Sequence, residues 1–206
     1  MAKVNPLMLV GGIVLCGGRS SRMGRPKAWL PFADELMLPR VVRLLREVLG
    51  PIVVVAAPDQ ELPPLPAEMV VVRDAVGGRG PLQGLASGLA ALKGTCDAAF
   101  LSSCDVPFLQ PSFIERMIDL LGDRTIAVPE AGGFRHPMAA VYRLEVLPVI
   151  EELLSADRRK LQDLFQKCPT RFVLPEEWAD VDPTSRSLRN VNTPEDYAAA
   201  RIADKQ

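Results

Sequence analysis

Ile13-Val14-Leu15-Cys16-Gly17-Gly18-Arg19-Ser20-Ser21-Arg22-Met23-Gly24-Arg25-Pro26-Lys27 passes from a short apolar run into a loop of glycines, serines and cations. The run from Ile13 to Cys16 is bounded by Gly11-Gly12 and Gly17-Gly18, which suits a strand buried on both faces. In the loop, glycines let backbone N–H groups approach phosphate oxygens, and Arg19, Arg22, Arg25 and Lys27 place four cations within nine residues. That composition suits a polyphosphate, although a flexible basic loop behind a strand has the same composition. Spacing narrows the choice. A Walker loop needs Gly-Lys-Ser/Thr in succession and a dinucleotide fingerprint needs G-x-G-x-x-G, and neither is present.

Outward from this stretch, strands and helices alternate. Pro39 suits the first turn of a helix carrying Val41, Val42, Leu44, Leu45, Val48 and Leu49, which Gly50 stops. Strands are predicted at Ile52 to Val55, Met69 to Val72, Ala98 to Leu101, Thr125 to Val128, Met138 to Tyr142 and around Phe172 to Leu174. Helices are predicted at Leu82 to Leu92, Pro111 to Leu121, Val146 to Leu154, Lys160 to Lys167 and Pro194 to Ile202. Buried strands alternating with helices imply an α/β fold with a mostly parallel, doubly wound sheet, whose ligands sit at the carboxyl ends of the strands. The loop, Asp74 and Asp105 all fall at such ends.

The 206 residues carry 24 Lys plus Arg against 25 Asp plus Glu, a formal net charge of -1. One domain over residues 1–206 is expected, with no global charge to draw it to nucleic acid or an anionic membrane. Cys16, Cys96, Cys104 and Cys168 form no C-x-x-C pair and no zinc-like spacing with the single histidine, His136, so reduced thiols in a cytoplasmic protein are expected. The apolar stretch from Val4 to Cys16 is broken by Asn5, Pro6, Gly11 and Gly12, unlike a signal peptide.

Leu15-Cys16-Gly17-Gly18-Arg19-Ser20-Ser21-Arg22-Met23-Gly24 followed by Lys27 resembles the L-x-G-G-x-S-x-R-M-G-x-x-K signature of nucleotidyltransferases with a Rossmann-like GT-A fold, a three-layer α/β/α domain. The resemblance is closest to the molybdenum cofactor guanylyltransferases. It runs from Gly12 to about Tyr197 through five motif blocks in order. Cys16 stands where Ala is usual, Pro26 where Asp is common, and Ala56-Ala57-Pro58 where an Asn or Ser often touches the nucleotide.

Several residues read differently with and without that resemblance. By itself Asp105, in Ser103-Cys104-Asp105-Val106-Pro107-Phe108, is a turn or N-cap aspartate ahead of Pro111. The resemblance makes it the Mg2+ ligand that also touches the nucleotide. Asp74 by position ends a strand. The resemblance groups it with Pro81, Leu82 and Gly84 in a D-x(n)-G-P-L-x-G block that selects guanine together with Leu15. Lys27, Cys16, Gly17 and Gly18 would hold the phosphates, with Arg22 beside them.

On the other half, a lone His136 is ordinarily a structural hydrogen-bonding group, and Arg158-Arg159-Lys160 a solvated basic face. Thr193-Pro194 with Asp196 reads as a capping box, which leaves Asn190 and Asn192 unexplained. Their alternation puts two amides on one face of an extended segment. The resemblance assigns His136, Arg159, Asn190 and Asn192 to the pterin side, so the N-terminal half would bind nucleotide and the C-terminal half pterin. Asp180 and Asp182 read as loop acids.

The resemblance implies transfer of GMP from GTP to the terminal phosphate of molybdopterin, with pyrophosphate leaving and no general base needed. It also implies transient contacts with molybdopterin-synthesis proteins or molybdoenzymes. The rivals are a cytidylyltransferase on the same pterin, a sugar-phosphate nucleotidyltransferase, and a non-catalytic nucleotide-binding or cofactor-delivery protein. Intact Lys27 and Asp105 speak against the last.

Overall fold

The computed structural model describes residues 8–17, 26–74 and 80–204. In chain order the elements are β1 (Val10–Leu15), β2 (Pro31–Phe32), β3 (Glu35–Leu36), α1 (Met37–Arg46), β4 (Ile52–Ala56), β5 (Val70–Arg73) and α2 (Pro81–Leu92). There follow β6 (Ala98–Ser103), α3 (Pro111–Asp119), β7 (Ile126–Ala131), β8 (Phe134–Arg135), β9 (Ala140–Arg143), α4 (Leu147–Ser155), β10 (Thr170–Val173) and α5 (Pro194–Ala203). The main sheet runs β10-β7-β9-β6-β1-β4-β5, with β8 paired to β7.

Every residue of β1, β4 and β6 is buried, as strands covered on both faces must be. The side chains sort by the two-residue period. Val14, Cys16, Val54 and Phe100 pack under α1 and α3, while Ile13, Leu15, Val53 and Leu101 pack under α2 and α4. The result is three layers, α/β/α. α2 lies close on β1 because it presents glycine at the contact. A Cβ on Gly84 would come 2.9 Å from Leu15 Cδ2, and one on Gly88 would come 2.6 Å from Ile13 Cγ2.

β1 pairs in parallel with β4 on one side and β6 on the other, and β4 with β5. The chain therefore builds outward from β1 through β4 to β5 and returns across α2 to β6 on the opposite flank. The strand order reverses between β1 and β6, the position where open α/β sheets bind ligands. The expected mostly parallel sheet is present with one antiparallel insertion, because β9 lies between β6 and β7 and runs against both. β7 thus runs parallel to β6, and the start of β9 lies at the carboxyl edge.

Several elements depart from their predicted bounds or type. α1 begins at Met37, two residues before Pro39, since a proline in the first turn lacks only an N–H that the helix leaves unbonded anyway. Residues 161–166 form a 3-10 helix rather than an α-helix, with Leu161 and Leu164 stacked inward at its three-residue period. The strand predicted from Met138 begins at Ala140, after a 3-10 turn over Pro137–Ala139. α4 begins at Leu147, after a 3-10 turn over Leu144–Val146. The hairpin of β2 and β3, only two residues each, carries no alternation for a sequence reading to find.

Gly88→Ala is expected to cost on the order of 2 kcal/mol by overpacking against Ile13, a fall in Tm of roughly 4–8 °C for a chain of this size. An unchanged Tm in thermal unfolding would contradict the close α2–β1 contact.

Candidate active site

The β1 and β6 ladders end side by side at the point of reversal. Leu15 is in register with Ser103, Cys16 N–H donates to Val55 O at 2.8 Å, and Cys104 N–H donates to Leu15 O at 3.2 Å. The chain leaving β1 therefore enters the glycine-rich loop beside the chain leaving β6 at Asp105. Gly18, Arg22 and the rest of residues 18–25 lie outside the described residues, as do Gly77, Gly78 and Arg79.

Asp105 is held on all sides. Ser103 Oγ donates to its Oδ1 at 2.5 Å, and Asn190 Nδ2 makes a longer contact of 3.4 Å to the same oxygen. Lys27 Nζ donates to Oδ2 at 2.7 Å, and the same ammonium donates to Asn192 Oδ1 at 2.8 Å. The backbone joins in, because Val191 N–H donates to Asp105 O at 2.9 Å. The ion pair is mostly shielded, with side-chain exposures of 18% for Lys27 and 12% for Asp105. At that burial the attraction between the two charges is offset by the cost of desolvating them.

Each of these side chains is placed by a nearby apolar anchor. Lys27 opens a 3-10 turn whose Ala28 is buried, and the following Leu30 and Phe32 pack with Met37, Phe108, Val191 and Ala200. Phe32 meets Phe108 edge-on at 5.4 Å, tying the segment after Lys27 to the segment after Asp105. Val191 points into that cluster, so its neighbours Asn190 and Asn192 point the other way, toward the ion pair. The paired amides inferred from their alternation do share one face. The capping box is also present: Asp196 N–H donates to Thr193 Oγ1 at 3.1 Å, and Asp196 Oδ2 accepts from Thr193 N at 2.9 Å. Asp196 goes further than a cap, since the same oxygen accepts from Asn192 N at 3.0 Å and thereby fixes the residue that holds Lys27.

The residues that the family resemblance assigns to nucleotide and pterin can be followed along the carboxyl edge in strand order. Asp74 follows β5 and accepts from Ser87 Oγ at 2.9 Å. Pro81 opens α2, and Leu82 and Gly84 turn inward against β1, so their backbone is what they have to offer a ligand. His136 stands just before β9, where its N–H donates to Pro129 O at 2.9 Å and its Nε2 lies 3.4 Å from Ala131 O. From β5 to β9 is four strand spacings, roughly 19 Å, with Asp105 between them. Arg159 lies against the start of α2. Its backbone oxygen would be 3.4 Å from a Cβ on Gly80, and its guanidinium is paired to Asp157 at 2.6 Å. Asp180 and Asp182 are structural: the first pairs with Arg116, and the second accepts from the N–H groups of Arg186 and Ser187.

Among the described residues no group of three or more His, Cys, Asp or Glu side chains could hold a metal ion. A single carboxylate falls within the one or two that Mg2+ takes from a protein, the rest of its shell being water and substrate phosphates. Cys104, beside Asp105, is buried, and its hydrogen bond with Cys16 and then its burial push the thiol well above the ordinary range. Sequence reasoning gave no role to Gln60. Its amide donates to Cys16 O at 2.9 Å, yet it lies in a Pro-rich loop with no motif to mark it.

The MobA-like NTP transferase domain matches residues 12–172. A relative from Pelotomaculum thermopropionicum, called a probable molybdenum cofactor guanylyltransferase, is 33% identical over 195 residues, covering 93% of this chain and 91% of its own length. A protein of the same description from Mycobacterium avium is 36% identical over 197 residues, covering 93% and 95%. Among solved structures, molybdopterin-guanine dinucleotide biosynthesis protein A from Archaeoglobus fulgidus superposes with a TM-score of 0.78 at 19% identity, covering 95% of this chain and all of that one.

Backbone hydrogen bonds from Asn192 and Thr193 hold the Asp196 carboxyl below its usual range. A depressed folded pKa contributes stability that is present above the ordinary carboxylate range and lost as pH falls through the folded value. The Tm difference between wild type and Asp196→Ala is therefore expected to be constant near neutrality and to narrow on acidification below about pH 4. A difference that is flat down to pH 2 would contradict the capping geometry.

Proposed function

The chain belongs to the MobA-like NTP transferase family, and from that premise we propose that it transfers GMP from GTP to the terminal phosphate of molybdopterin, releasing pyrophosphate. The observation that carries the reading is the Lys27–Asp105 ion pair, placed where the strand order reverses and bridged by Asn190 and Asn192 from the far end of the chain.

Both substrates are anions, so the protein's work is to align them and to neutralise charge. Gly17, together with the loop behind it, offers backbone donors to the triphosphate. Lys27 exchanges Asp105 and Asn192 for phosphate oxygens. Arg22 is assigned to the same phosphates through the family motif. Leu15, Asp74 and the backbone of Pro81, Leu82 and Gly84 form the nucleoside side, and Asn190, Asn192 and His136 the acceptor side.

Asp105, held by Ser103 and Asn190 through Oδ1, is the residue that would hold Mg2+. Bound there, the cation would neutralise charge building on the departing pyrophosphate. The acceptor phosphate needs no proton removed before attack. Lys27 and Asp105 therefore act by charge and position, and no side chain must form a covalent intermediate.

The test is pyrophosphate release from GTP, CTP and ATP, each with molybdopterin and Mg2+. Release is expected with GTP and is expected to fall at least about a hundredfold in Asp105→Ala and in Lys27→Met. Release with CTP alone overturns the guanylyl assignment, and full activity in Asp105→Ala overturns its metal role.

A further inference from the structure

In the β1–β4 pairing, Gly12 and Cys16 donate to Pro51 and Val55, so the next rung of the parallel ladder would run from Ala57 N–H to Cys16 O. That rung is absent, and a side chain fills it. Ala57 N–H donates to Gln60 Oε1 at 3.2 Å, and Gln60 Nε2 donates to Cys16 O at 2.9 Å while lying 3.5 Å from Cys16 Sγ. The Gln60 carboxamide therefore stands where a direct peptide contact would be, relaying the bond and holding the ends of β1 and β4 apart by one amide.

The relay is itself fixed. Gln60 N–H donates to Ala57 O at 3.2 Å, closing the turn, and Arg73 Nη1 donates to Ala57 O at 3.1 Å and to Gln60 O at 2.5 Å from the end of β5. In a trans peptide the C=O and the following N–H point in opposite directions. With Cys16 O turned toward Gln60 on the β4 side, Gly17 N–H is turned toward β6, where Asp105 and Lys27 lie. Gly17 is exposed, so that N–H is open to a ligand. Two departures from the family signature, Cys16 for Ala and Ala57 where Asn or Ser is frequent, both lie against this one side chain.

We propose that Gln60 is a positioning residue for the nucleotide: it acts through the Cys16–Gly17 peptide, aiming the first backbone donor of the loop at the triphosphate. The proposal rests on reading the site as a nucleoside triphosphate centre. Gln60→Glu keeps the acceptor for Ala57 N–H but removes the donor to Cys16 O and sets a carboxylate against that carbonyl. Gln60→Leu removes both bonds at similar length.

The experiment measures binding of GTP, CTP and ATP to the full chain by calorimetry, steady-state constants with molybdopterin, and Tm for wild type and both variants. The expected result is a rise on the order of tenfold in the dissociation constant and KM for the triphosphate that wild type binds, with kcat and the molybdopterin KM within about twofold and Tm little changed. Wild-type triphosphate affinity in both variants overturns the proposal. So does a parallel loss of both substrates with a lowered Tm, which marks a merely structural residue. A wild type that binds CTP in place of GTP overturns the guanine assignment and still tests Gln60 through CTP. A wild type that binds no triphosphate overturns both readings.

Discussion

Lys27 and Asp105 lie 78 residues apart in the chain and meet at 2.7 Å, and much of the architecture serves to bring them there. β6 must return beside β1 for Asp105 to face the loop leaving β1. The β2–β3 hairpin must pack through Phe32 onto Phe108 for Lys27 to reach Asp105. α5, capped by Thr193 and Asp196, must hold Asn192 against the ammonium from 165 residues away. A shielded charge pair of this kind contributes little net stability, because desolvation offsets its attraction, so its value lies in what each partner can do when the other is drawn off. A triphosphate with a divalent cation offers Lys27 an anion and Asp105 a cation together.

The parts of this centre made by period and composition were legible in the sequence. Buried runs such as Ile52 to Val55 and Ala98 to Leu101 identified the strands, since only strands covered on both faces are apolar throughout. Asn190 and Asn192 could be placed on one face because alternate residues of an extended segment share a face, and Val191 between them turns inward. Thr193, Pro194 and Asp196 announced their helix start through capping chemistry that is local in sequence.

What stayed hidden depends on contacts between distant segments. No local pattern shows that β9 inserts antiparallel between β6 and β7, because its pairing is decided by the strands already in place. Arg159 belonged to a basic run whose position over Gly80 follows from how α4 packs on α2. Gln60 is one glutamine in a proline-rich loop, and its role exists only because Cys16 and Ala57 stand one rung apart across the β1–β4 gap. Gly84 matched a nucleotide block, and its burial against Leu15 adds a packing reason for the same residue.

The central proposal is that Asp105 would exchange Lys27 for a divalent cation as the nucleotide binds. Titrating GTP into wild type and Asp105→Asn, each with and without Mg2+, measures that exchange. The account predicts that Mg2+ strengthens GTP binding in wild type and that this strengthening is lost in Asp105→Asn. An undiminished Mg2+ effect in Asp105→Asn would contradict it.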